Sequence, residues 1–211
     1  MSKKKIMIID CGISNIGSVA HALDYLGGEY LVSDKKKDLG KVDGFILPGV
    51  SAFAAAMENL NSLDILDELG KQVLVERKPF FGICVGMQLL ALDSTEGGLH
   101  KGLGWIEGHV IALQPAANFR VPHVGWNDVE FDHSSIFFHL VETGAHFYFD
   151  HSFHLQCSKS IIVSTCEHGG TLTAAIQKEN IFATQFHPEK SQRNGLKILR
   201  NFLNYVEKQR V

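Results

Sequence analysis

Cysteine is scarce in this sequence, with four in 211 residues, at 11, 84, 157 and 166. None forms a C-x-x-C pair, which argues against a disulfide framework or a zinc site and fits a reducing compartment. Long apolar runs are missing too. The basic start, Lys3 to Lys5, is followed by a short apolar stretch that Asp10 interrupts. That stretch is too short for a signal-peptide core and far too short to span a bilayer, so a cytoplasmic location without a membrane partner is expected. A strong excess of one charge is also lacking. The formal net charge of -3 gives no reason to expect nucleic acid. No repeat, low-complexity tract or linker divides the chain, and its 45% hydrophobic content is ordinary for a globular protein. One domain over residues 1–211 is expected, with no metal and no cofactor.

What the chain does have is alternation. Residues 5–10 read as a buried parallel strand. Residues 16–26 read as a helix stopped by Gly27 and Gly28, with Ser14 or Asn15 as its cap. Segments 30–32, 42–47 and 80–83 read as further strands, and 52–60 and 63–76 as helices. Such β–α alternation predicts an α/β fold with a doubly wound, mostly parallel sheet. The second half reads differently. Strand patterns at 104–113, 145–151 and 161–166, and a hairpin over 174–186, predict a C-terminal antiparallel extension of the same sheet. Pro122 and Gly125 mark 121–127 as a compact loop. The last segment, 191–208, carries Leu196, Leu199, Phe202, Leu203 and Val206 on one helical stripe, capped by Ser191.

Chemistry concentrates at two places. The first is Gly82-Ile83-Cys84-Val85-Gly86, at the end of the strand 80–83 and ahead of an apolar helical segment. G-x-C-x-G is the thiol version of the G-x-S-x-G nucleophile elbow. The turn is strained and crowded, so small residues must flank the nucleophile, and a following helix N-terminus favours a thiolate. A buried structural cysteine is the plainer alternative, but the glycine bracket and the polar Gln88 one turn later speak against it. The second place is Gln185-Phe186-His187-Pro188-Glu189. A thiol nucleophile needs a base, and the base needs an orienting acceptor. His187 and Glu189 supply those roles if strand alternation puts them on one face.

PGV at 48–50, GICVGMQLL at 82–90 and QFHPEKSQ at 185–192 together resemble the triad, class I, glutamine amidotransferases. Within that family, VPHVGWN at 121–127 and FYFDHSF at 147–153 resemble the glutaminase subunit of imidazole glycerol phosphate synthase, and the resemblance runs over essentially the whole chain. It implies glutamine as substrate, attacked by Cys84 with His187 shuttling the proton and Glu189 orienting it. It implies an oxyanion hole from Val50 and Val85, and glutamine held by Gly49, Gln88, His151, Ser152 and Phe153. It implies a heterodimer with a (β/α)8-barrel cyclase subunit, faced by Val124, Trp126, Asn127 and Lys190, which receives the ammonia for histidine biosynthesis. Three positions depart from the pattern: Ser51 stands where glycine is usual, Asp150 where an apolar residue is usual, and Phe153 where tyrosine is frequent. They leave open a paralogue that feeds a different synthase, such as one forming an amidine on a surface-polysaccharide sugar. A non-catalytic binding subunit is a further alternative, and the intact Cys84, His187 and Glu189 weigh against it.

Overall fold

The computed structural model describes residues 3–209 save 13, 115 and 117, so Ile13 of the turn before the first helix lies outside the described residues. An eight-stranded sheet forms the centre. Five strands are parallel, in the order Glu29–Ser33, Lys5–Ile9, Gly44–Gly49, Phe80–Cys84 and Ile181–Thr184. Three antiparallel strands, Thr171–Lys178, Ile162–Glu167 and Glu130–Phe131, continue it on the far side. The α/β reading and the antiparallel extension therefore agree with the chain's topology. Their apolar runs explain the centre: Gly44–Gly49, Phe80–Cys84 and Ile181–Thr184 are buried at every residue, as strands covered on both faces must be.

Several local expectations need correcting. The strands near 104–113 and 145–151 do not join the central sheet. Gly108–Ala112 pairs with Phe153–Cys157 in a separate four-stranded sheet, and His146–His151 pairs with His123–Asp128 in a two-stranded ribbon. The compact loop at 121–127 is mostly strand. Pro122 stands just ahead of it, where a missing N–H does no harm, and Gly125 bends it with a φ of 130°. The helix expected over 63–76 starts only at Leu66, because Asp64 adopts a left-handed φ of 51°. Its second half, Lys71–Val75, is wound as a π-helix. Neither Ser14 nor Asn15 caps Ile16–Leu26 with a side chain.

The last helix, Gln192–Lys208, ties the C-terminus to the sheet. It buries Gly195, Ile198, Leu199, Phe202 and Val206, a stripe at helical spacing. The Phe202 ring lies 5.3 Å from Phe81 and 5.8 Å from Phe182. Full burial of such a ring is worth about 1.5–3 kcal/mol. Ser191 holds the N-cap position of this helix, where its carbonyl accepts the Gly195 N–H at 3.0 Å, but its side chain makes no capping bond. Its hydroxyl donates to the His187 carbonyl at 2.6 Å and accepts from the Tyr148 N–H at 2.9 Å. A side chain at Gly195 would put its Cβ 1.8 Å from the Pro188 carbonyl oxygen. The helix thus presses directly on the turn that carries His187 and Glu189.

The same kind of contact builds the elbow. A Cβ at Gly86 would lie 1.9 Å from the Leu47 carbonyl oxygen, and one at Gly82 would lie 2.5 Å from the Gly86 carbonyl oxygen. Both contacts are main chain and cannot swing away. Gly86→Ala is expected to lower stability by about 1–3 kcal/mol, read as a lower urea midpoint; an unchanged midpoint would mean that the elbow can shift to accept a methyl group.

Candidate active site

Cys84 ends its strand at φ 54° and ψ −110°. A non-glycine residue held there is strained by about 1–3 kcal/mol, and the packing of Gly82 and Gly86 leaves it no other place. The helix that follows is a single turn, Val85–Gln88. A dipole that short gives the sulfur little help, so its polarity must come from side chains. Cys84 is 2% exposed. Its sulfur contacts the Gln185 Nε2 at 3.6 Å and the Asp150 carbonyl oxygen at 3.8 Å, with the His187 ring beside it.

His187 and Glu189 meet, though not as alternating residues of a strand. The strand ends at Thr184, and Glu189 sits in the short 3-10 turn Pro188–Lys190. The turn brings Glu189 Oε1 to 2.8 Å from His187 Nδ1, with both side chains almost fully enclosed. Burial by itself lowers the His187 pKa. The hydrogen bonds and negative charge of Cys84 and Glu189 outweigh burial and push it up to about 10. His187 therefore holds its proton more firmly than an ordinary imidazole.

A cleft of about 250 Å³ opens over these groups. Of the expected residues, Val50, Cys84, Val85, Gln88, His151, Ser152, Phe153 and His187 line it. Gly49 lies behind the wall, in register with Cys84 on the neighbouring strand, and Glu189 lies behind His187. A larger open groove of about 530 Å³ runs beside Trp126, His146 and Arg193. It contains no thiol, so the chemistry is assigned to the smaller cleft. Among the described residues no cluster of three or more His, Cys, Asp or Glu side chains is placed to hold a metal ion, and no helix is long and apolar enough to cross a membrane.

Three residues of the site had not been singled out. Glu96 lines the cleft and accepts the Phe53 N–H at 2.7 Å; nothing in its surroundings in the sequence marks it. Gln185 is fully buried against Cys84, and a polar residue inside the apolar run 181–186 was an available signal. His123 is buried and hydrogen-bonds through Nδ1 to His151 Nε2 at 2.9 Å. His151 Nδ1 lies 2.8 Å from the Phe153 carbonyl, so it must carry the hydrogen there and leave Nε2 as acceptor. His123 then donates through Nδ1, and its Nε2 accepts from Asn127 Nδ2 at 3.2 Å.

The four residues expected to face a partner divide. Val124 and Trp126 are about half exposed on the outer side of their strand. Asn127 turns the other way, to His123 and to the Glu167 carbonyl. Lys190 places its ammonium over the Tyr148 ring, 5.4 Å from the centroid, and the same ring meets Trp126 edge-on at 6.2 Å.

These histidines respond to pH in opposite senses. Burial lowers His123 to about 4, helped by His168 stacked 4.0 Å away, and lowers His151 to about 3. The unfolded chain binds protons more readily at these two sites, so their contribution is present above the ordinary value of 6.5 and is lost as pH falls toward 4 and 3. The His187 contribution is complete below 6.5 and is lost as pH rises through about 10. Urea midpoints should therefore fall on both sides of neutrality. His187→Gln should flatten the alkaline decline and leave the acid one; an alkaline decline unchanged in that variant would contradict the pairing.

Residues 7–206 match the class-I glutamine amidotransferase family. The imidazole glycerol phosphate synthase subunit HisH 1 of Campylobacter jejuni is 42% identical over 198 residues, covering 94% of this chain and 98% of that protein. The corresponding HisH 2 of Vibrio vulnificus is 43% identical over 208 residues, covering 98% and 97%. Among solved structures, a glutamine amidotransferase from Thermotoga maritima superposes with a TM-score of 0.72 at 18% identity, over 99% of this chain and 100% of that one. PurLQS from the same organism gives 0.71 at 23% identity, over 97% and 100%. These structures share the fold. With a class-I match over nearly its whole length and relatives above 40% identity, the chain belongs to the class-I glutamine amidotransferase family.

Proposed function

We propose that this chain is the glutaminase subunit of an imidazole glycerol phosphate synthase, a single glutaminase domain working in the cytoplasm with a (β/α)8-barrel cyclase subunit. The observation that carries the reading is the line Cys84, His187, Glu189 at the base of the cleft, with the Glu189 carboxylate 2.8 Å from the His187 ring. His187 takes the proton of the thiol and leaves a thiolate ready to attack. The thiolate attacks the side-chain amide carbon of glutamine, and the carbonyl oxygen becomes an oxyanion. The N–H of Val85 and, from the facing loop, that of Val50 are the donors for it. His187 gives its proton to the amide nitrogen, which leaves as ammonia while a thioester forms on Cys84. Water then attacks the thioester, His187 takes its proton, and glutamate leaves as the thiolate returns. Glu189 keeps the ring oriented throughout.

Substrate recognition has support in the cleft. The Glu96 carboxylate at the wall suits the α-ammonium of glutamine. Both N–H bonds of the Gln88 amide are committed inside the protein, so only its Oε1 is free to accept from a ligand. Val50 is half exposed, and Ser51 after it has a side chain where a glycine would turn more freely. Completion of the donors is assigned to closure of this loop when the partner binds, a turn that Ser51 makes less free. Val124, Trp126 and Lys190 form the surface assigned to that partner, which takes up the ammonia.

Cys84→Ala should lower glutamine-dependent synthesis by the complex by roughly 10³-fold or more while ammonia-dependent synthesis persists; loss of both would make Cys84 structural. Glu189→Gln should cost on the order of 10²-fold, less than loss of the nucleophile. Glutamate release, measured on the chain alone and with a barrel cyclase and its nucleotide ligand, tests the pathway. Strong stimulation by both supports the reading. Activity that ignores the cyclase, or that answers to another synthase, assigns the chain to a paralogue with a different ammonia acceptor.

A further inference from the structure

We infer that Gln185 is a positioning residue for the nucleophile: its amide N–H donates to the Cys84 sulfur and holds it as a thiolate aimed into the cleft. The inference rests on the reading of Cys84 as the nucleophile. The orientation of the Gln185 amide follows from a chain of donors and acceptors that begins at a backbone carbonyl. The Phe153 carbonyl can only accept, so the Gln88 group 2.9 Å from it must be Nε2. That same nitrogen reaches the Gln185 side chain at 3.0 Å. A donor there requires an acceptor, so Gln185 presents Oε1 to Gln88 and has Nε2 left for the sulfur, 3.6 Å away.

Gln185 is fully buried, and its own N–H is held by the Ala174 carbonyl at 2.8 Å, so the side chain cannot withdraw with the backbone. A buried amide hydrogen would be expensive to leave without an acceptor. The sulfur is that acceptor, and a thiolate accepts far better than a thiol. The helix turn beyond Cys84 is too short to do this work. Gln185 therefore acts from outside the lining of the cleft: His187 exchanges the proton, while Gln185 keeps the anion in place after the proton has gone.

The test compares Gln185→Met, which keeps the bulk and removes the donor, with Gln185→Glu, which keeps the shape and turns a carboxylate oxygen toward the sulfur. The pH dependence of iodoacetamide addition to Cys84 is followed by mass spectrometry of that site. Glutamine kcat and KM are measured with the partner subunit present. For Gln185→Met the midpoint of the alkylation profile should move upward by on the order of one pH unit, with kcat reduced roughly tenfold and KM little changed. Gln185→Glu should move the midpoint further in the same direction, because like charges then face each other. Profiles that overlay the wild type in both variants would overturn the inference even if activity fell, since lost activity alone would report packing. A smaller shift for glutamate than for methionine would overturn it too. A Cys84→Ala chain that keeps glutamine-dependent synthesis would refute the nucleophile reading, and this inference with it.

Discussion

Two donors converge on one backbone oxygen, the carbonyl of Phe153. His151 reaches it through Nδ1 at 2.8 Å and Gln88 through Nε2 at 2.9 Å. Because a carbonyl only accepts, this single group decides the tautomer of His151, then that of His123, and on the other side the orientation of two buried amides. The network runs from Asn127 on the ribbon strand, through both histidines and both glutamines, to the Cys84 sulfur. Each bond within it is worth about a kilocalorie on its own. Its weight lies in the alternatives it forbids, since turning any member sets a buried donor against a donor or an acceptor against an acceptor.

Around that network the fold supplies stiffness. The elbow's main chain lies against Leu47 with no room for a methyl group, and the last helix lies against Pro188 in the same way. Close-packed backbone transmits a shift instead of absorbing it. The strained φ of Cys84 and the buried carboxylate of Glu189 are affordable only in such surroundings. The result is a thiol and an imidazole whose separation is set by two pieces of chain far apart in sequence, brought together because Phe80–Cys84 and Ile181–Thr184 are neighbours in the sheet.

Much of this was legible in the sequence. Short apolar runs at 5–10, 42–47 and 80–83 marked parallel strands, and the glycine bracket marked the elbow at Cys84, because steric demands act on residue type directly. The ribbon was not legible. In 121–128 a proline and a glycine dominate the local signal, while the strand is held by a partner, His146–His151, whose pairing no short window can reveal. The late start of the helix after Asp64 was missed for a similar reason, since one left-handed residue resets a helix that periodicity alone would run through. Glu96 matters only through what the fold sets beside it, and spacing carries no record of that, whereas Gln185 had only its polarity within the run 181–186 to mark it.

Tyr148 shows how the surface is joined to the chemistry. Its ring lies between Lys190 and Trp126 on the outside, while its carbonyl accepts the His187 N–H at 2.9 Å and its N–H binds Ser191. The inward hydrogen bonds are made by main chain, which is the same whatever side chain the residue carries, and the ring adds only a tilted contact, its centroid 6.4 Å from that of the His187 imidazole. Selection can therefore rewrite the outer face, exchanging one recognition surface for another, without disturbing the alignment of the base beneath it. A scaffold wired in this way is readily retargeted, so one hydrolytic core can be lent to a succession of different customers for its nitrogen.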